Sequence, residues 1–164
     1  MATTLALAET AGGIKWTVPP AWKTQPERPM RAATYTIPKV AGDPEDGECA
    51  VFYFGAGQGG GIDANIQRWI GQFEAPGGGP ADKLAKTSKS TLSGMPVTRI
   101  DVTGTYKAAG GPMMQSTGSK PGYRLLGAIV EGPEGAVFFK FTAPAKTAAV
   151  QQPAFEKLLQ SISR

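Results

Sequence analysis

The chain has 164 residues, 41% of them hydrophobic and 18% charged, enough apolar mass for one globular domain that buries roughly 70% of its unfolded surface. Its net charge of +4 is dispersed, with Lys83, Lys86 and Lys89 the nearest approach to a cluster, so no nucleic-acid partner is expected: that needs a denser basic stripe lined by aromatics. There is no histidine and a single cysteine, Cys49, which removes the usual general base and zinc ligand, every Ser-His or Cys-His nucleophile, an internal disulfide and a cysteine-rich metal site.

Residues Met1 to Gly13 read as a small-residue leader. Ala6-Leu7-Ala8 has the form of a signal-peptidase site without a proper apolar stretch before it, as in the trimmed end of an export signal. A single domain is then expected over residues 14–164. Ile14 to Val18 and Met30 to Ile37 are predicted strands, separated by the proline-rich PPAWKTQPERP, an ordered turn anchored by Trp22. Asp43 to Glu48 forms an acidic turn, and Ala50 to Phe54 is a continuous apolar run, as in a strand covered on both faces. A glycine-rich loop follows, GAGQGGG, which includes Gln58. In the next segment Ile62, Ile66, Trp69, Ile70 and Phe73 recur at helical spacing, with Asp63 placed to cap the first turn and Asn65, Arg68 and Gln72 on the opposite, solvent face.

Beyond the turn EAPGGGPAD, a polar strand is predicted around Ala85 to Leu92, and another over Val97 to Tyr106. In the second, Ile100 and Val102 alternate with Arg99, Asp101 and Thr103, the pattern of one wet face. Lys107 to Gly122 is a long connection carrying Met113 and Met114, read as a flap, a binding loop or a disordered tip. Tyr123 to Val130 and Ala136 to Phe141 form an apolar hairpin around EGPEG. Pro153 suits the first position of a terminal helix whose buried stripe is Phe155, Leu158, Leu159 and Ile162. The expected fold class is α+β, with a central, mostly antiparallel sheet of about six to seven strands flanked by helices on both faces. No apolar run reaches the roughly 18 residues of a membrane span.

The functional candidates are few. Gly55-Ala56-Gly57-Gln58-Gly59-Gly60 matches GxGxxG between a strand and a helix, but the second apolar parallel strand ending in an acid is missing, so a structural loop is expected and no cofactor. Asp43, Glu45, Asp46 and Glu48 do not follow EF-hand spacing and read as a solvated turn, so no metal is expected; Cys49 reads as a small packing residue. Asp101, Glu131, Glu134 and Ser88-Lys89 form no spacing that catalysis requires, and a non-enzyme is expected. Asn65 and Arg68, one turn apart after a loop rich in free N–H groups, are the best-placed pair for a carboxylate or phosphate. Gln58, Gln72, Met113 and Met114 complete the candidate ligand-binding set.

WTVPPAW (Trp16 to Trp22), the strand after it, the apolar strand into GGGIDANIQRW and the terminal KLLQSI together resemble the PsbP-like superfamily in its broad sense. That superfamily includes extrinsic photosystem subunits, a nuclear-import factor that binds the small GTPase Ran, and exported bacterial proteins or lipoproteins of unknown role. The bacterial group, with an N-x-x-R-W helix matched here by Asn65, Arg68 and Trp69, is the nearest. The resemblance implies a central antiparallel sheet flanked by helices, an extracytoplasmic location and no defined activity. It also implies that any membrane association comes through a lipid anchor not present in this chain. Two roles follow: a non-enzymatic exported binding or accessory module contacting a protein or a small anionic ligand, or a small-molecule or lipid carrier with an apolar pocket under residues 107–122.

Overall fold

The computed structural model describes residues 8–107 and 119–164. The described residues begin with a hairpin, β1 (Ala8–Ala11) and β2 (Ile14–Thr17), so part of the segment read as a leader pairs antiparallel with the first predicted strand. Next come β3 (Lys23–Thr24), β4 (Arg31–Ile37), β5 (Gly47–Tyr53), helix α1 (Ile62–Gly71) and β6 (Phe73–Glu74). A short 3-10 turn (Asp82–Leu84) leads to β7 (Lys86–Leu92), β8 (Met95–Lys107), β9 (Ser119–Gly132), β10 (Gly135–Pro144) and helix α2 (Ala145–Gln160).

Strands β3 to β10 form one eight-stranded sheet in the order β3-β4-β5-β10-β9-β8-β6, with β7 sharing the outer edge of the long β8. Each pairing is antiparallel, as expected, and the three apolar runs singled out in the sequence are the adjacent central strands β5, β10 and β9. The βαβ unit that a dinucleotide loop would need does not form: β5 is bonded to β4 and β10, and the chain after α1 goes to the far edge at β6.

Alternation along the strands sends two sets of side chains to opposite faces. One face carries Tyr35, Ile37, Cys49, Val51, Leu126, Val130, Val137, Phe139 and Phe141, and is covered by α2 through Phe155, Leu158 and Leu159, by Ile162 just beyond it, and by Ile14, Trp16 and Trp22 from the N-terminal segment. Trp16 stands edge-on to Phe139 at 5.1 Å and donates its indole N–H to the Tyr35 hydroxyl, while Trp22 anchors the proline-rich turn by donating to Gln151 Oε1 at 3.0 Å. The supposed wet alternation in β8 also points this way: Arg99 makes a bidentate pair with Glu156 of α2, and Arg124 of β9 does so with Asp101. Cys49 is buried in this layer, where desolvation pushes its thiol far above the ordinary range, consistent with packing.

The other face carries Ile100, Val102, Tyr123, Leu125, Ile129 and Phe138, covered by Ile66, Trp69, Ile70 and Phe73. Helix α1 can lie close because β9 presents Gly127 beneath it: a Cβ there would stand 2.6 Å from the Trp69 ring and 2.5 Å from Ile100 Cγ2. Two helix ends differ from expectation. Gly61, not Asp63, is the N-cap of α1 and makes no side-chain cap, with Asp63 left exposed in the first turn. Pro153 lies inside α2, which starts at Ala145, since the alanine-rich AKTAAVQQ extends the helix upstream; the proline forgoes one internal hydrogen bond.

Two substitutions test this layering. Phe139→Ala, fully buried at the sheet centre, is expected to cost roughly 3–5 kcal/mol in urea unfolding by leaving a cavity. Phe52, expected to be core, is only partly buried, and Phe52→Ala should cost clearly less. Gly127→Ala should cost about 1–3 kcal/mol by overpacking and blue-shift or red-shift the emission of the displaced Trp69, whereas unchanged stability and emission would contradict the seating of α1.

Candidate functional site

Helix α1 is ten residues long and covers β8, β9 and the near side of β10. Beside it, toward β5, the sheet face stays partly open and forms a cavity of ≈ 180 Å³. Its floor is Phe52, Phe54 and Phe138, with Lys140 from β10; its wall is Asn65, Arg68, Trp69 and Gln72 from α1 and its end. The aromatic groups are ordered by one another, Phe54 stacking on Phe52 at 6.1 Å and meeting Phe138 edge-on at 5.7 Å. A void of about 150 Å³ lined by apolar side chains holds a benzene, so this space suits a single-ring molecule, below the drug-sized range of about 300–1,000 Å³.

Of the predicted site residues, the structure brings together Asn65, Arg68 and Gln72. Their roles divide. Asn65 was expected on the solvent face, but it is 3% exposed. Its Nδ2 donates to Gly59 O at 2.8 Å and Gly61 O at 2.9 Å, tying the glycine loop to the first turn of α1, while its Oδ1 accepts from Arg68 Nη2. Asn65 faces inward because the loop folds back over the helix start, and its carbonyls need a donor there. Gly59, with φ 93°, admits the ring of Phe54 against its backbone, where a Cβ would come within 2.7 Å. The loop is thus spent on structure in its internal contacts.

Arg68 is exposed at the rim; among the described residues one of its five N–H donors goes to Asn65 and the others have no partner. Gln72, the C-cap of α1, accepts from Lys140 Nζ at 2.6 Å. Gln58 is exposed in the loop, does not line the cavity, and uses its backbone N–H on Gly55 O in a turn. Met113 and Met114 lie outside the described residues, as does most of the cover that the carrier reading placed over residues 107–122; Ser119–Gly122 of that stretch belong to β9.

Lys140 was hidden from sequence reasoning in an apolar strand, although a lone lysine in VFFKF is the signal that could have marked it. It projects onto the α1 face between Ala50 and Gly127 of the flanking strands, 5.5 Å from the Tyr106 ring, and its Nζ also reaches the Tyr106 hydroxyl at 3.3 Å. Burial pulls its pKa down to about 8; Glu48 opposes that shift, while Arg31 and Arg68 reinforce it. Among the described residues neither Lys140 nor Arg68 forms an ion pair, whereas Arg28, Arg31, Arg99, Lys107, Lys120 and Arg124 do. Arg31 stands over the Phe52 ring at 5.4 Å, its charge met by Glu48.

The acidic turn is consumed elsewhere. Asp43 accepts from the Thr147 backbone and hydroxyl at the start of α2, Asp46 from the Lys39 N–H, and Glu48 pairs with Arg31. Glu45 accepts from Tyr123 and Lys120, and the Tyr123 hydrogen bond is the main cause holding its carboxyl below the usual range.

No family model matches the chain, and no curated protein matches it in sequence. Its fold is similar to cyanobacterial PsbP (CyanoP) from Synechocystis sp. PCC 6803, with a TM-score of 0.56 and 9% identity over 97% of this chain and 91% of that one. The chain has a PsbP-like fold. LpqN, involved in cell envelope biogenesis of Mycobacterium tuberculosis, is similar with a TM-score of 0.55 and 14% identity over 92% of this chain and 82% of that one. A protein of unknown function, PA94 from Pseudomonas aeruginosa, gives 0.52 and 11% over 97% and 96%. The sequence resemblance to PsbP-like proteins and the three-dimensional likeness therefore agree on the fold.

The Asn65 clamp has a direct check. Asn65→Ala strips the Gly59 carbonyl of its buried donor, while Gly61 O keeps the Asn65 backbone N–H, and should cost about 1–3 kcal/mol, with faster amide exchange in the 55–61 loop; Asn65 acting only as a ligand group would leave both unchanged.

Proposed function

We propose that the protein is a non-enzymatic binding or accessory module of the cell envelope that holds a small anion with a flat, apolar body. The observation that carries this reading is the meeting of two cations that have no ion-pair partner among the described residues, Arg68 and Lys140, with an aromatic floor in one single-ring cavity. A carboxylate would satisfy both cations, Arg68 through its fork and Lys140 as a point charge, while its ring would cover Phe52, Phe54 and Phe138. The similarity to LpqN, a protein involved in cell envelope biogenesis, supports the compartment. The depressed Lys140 gives the site a pH dependence whose sign is fixed: protonated Lys140 is present below about 8, so anion affinity is full there and declines as the pH rises through 8, with Arg68 retaining a residual.

Calorimetric titration with benzoate tests the reading. Saturable binding is expected, weakened about tenfold by Arg68→Ala, whose cost to the unfolding free energy should stay near the ~1 kcal/mol of its one hydrogen bond to Asn65 because the residue is otherwise exposed. Affinity should fall between pH 7 and pH 9 in the parent and stay flat in Lys140→Met. Binding that is absent, or indifferent to Arg68, would overturn the proposal.

A further inference from the structure

Resting on the anion site just described, we infer that Lys140 is an imine-forming amine, and that the cavity captures small planar aldehydes carrying a carboxylate. Among the described residues Lys140 is the only primary amine lining the cavity, and it stands in its floor beside Phe138, where a ring-borne carbonyl would lie with its carboxylate toward the rim at Arg68. Two oxygens fix the amine: Gln72 Oε1 at 2.6 Å and the Tyr106 hydroxyl at 3.3 Å. Gln72 takes one amine hydrogen, which leaves the nitrogen lone pair of the neutral form to be directed elsewhere, and the Tyr106 hydroxyl is placed to exchange a proton with the reacting groups.

The step balances without an oxidant or reductant. The lone pair of neutral Lys140 attacks the aldehyde carbon, the carbonyl π pair moves to oxygen, and proton transfer gives a neutral carbinolamine. Protonation of its hydroxyl lets water leave as the nitrogen lone pair forms the C=N bond of an iminium, and loss of the N–H proton returns the proton taken up, so one molecule of water is released overall. Every charged or titratable group around the amine is accounted for: Glu48 on β5 favours the ammonium form, Arg31 on β4 and Arg68 on α1 disfavour it, and burial is the largest influence. Tyr106 on β8 has its own pKa raised by burial, so it keeps its proton where the amine has lost one. At pH 8 the neutral fraction of a group with pKa about 8 exceeds that of an ordinary lysine roughly a hundredfold. Lower intrinsic basicity returns part of this gain through Brønsted behaviour, leaving about a tenfold advantage in rate.

The test is reductive trapping of 4-formylbenzoate by sodium cyanoborohydride at pH 8, followed by intact-mass measurement and peptide mapping of the folded protein. The expected result is one adduct on Lys140, formed about tenfold faster than on the exposed Lys146 and Lys157, slowed by Tyr106→Phe and by competing benzoate. Mapping the parent protein keeps the test decisive even where Lys140→Arg fails to fold. Adducts spread evenly over the lysines, or none on Lys140, would overturn the imine assignment. Benzoate binding measured on the same sample separates the two readings: Arg68-dependent binding without a Lys140 adduct refutes the imine alone, whereas no binding and no adduct refutes the anion site with it.

Discussion

The arrangement depends on unequal cover of a sheet that has two apolar faces. The 16-residue α2 and the N-terminal segment fill one side, where Trp16, Trp22, Phe139, Phe141 and Phe155 interlock. The ten-residue α1 seats Trp69 over Gly127 and stops short of β5 on the other. Burial of apolar area drives both contacts, but α1 lacks the length to finish the task. The cavity is the incompletely covered remainder, walled by the helix end and floored by Phe52 and Phe54, which stay partly exposed, beside Phe138, which Trp69 covers.

That remainder also explains why a lysine is tolerated in the middle of a hydrophobic strand. A buried ammonium is costly, and elsewhere this chain pairs its half-buried cations with carboxylates, as Arg99 with Glu156 and Arg124 with Asp101. Lys140 instead leans on two neutral oxygens and an aromatic face, so much of the cost appears as a lowered pKa. Folding therefore becomes more favourable as the pH rises from about 8 towards 10.5, the range in which the unfolded chain still holds the proton that the native lysine has released. An anion in the cavity would act in the opposite sense, restoring the charged form.

The sheet was readable in the sequence because its central strands are long apolar runs, its helices show their stripes, and turn residues separate them. Helix ends were not: Pro153 looked like a start because local propensity upstream is strong enough to carry the helix through it. Nor was Asn65, whose helical position places it at the edge of the polar face; only the return of the glycine loop over the helix start turns it inward. The partnership of Arg68 with Lys140 joins residues distant in sequence and depends on sheet order. Periodicity along one segment carries no information about strands that meet across a sheet, and β10 lies beside β5 here because the chain crosses the whole sheet before returning.

The most direct measurement is a titration of uniformly ¹⁵N-labelled protein with benzoate, followed by two-dimensional amide and indole spectra. If the uncovered sheet face is the working surface, the shifts concentrate on Phe52, Phe54, Arg68, Gln72, Phe138 and Lys140 and on the Trp69 indole, while Trp16 and Trp22 on the opposite face stay still. Shifts centred on the α2 side, or no saturable shift at all, would contradict the account.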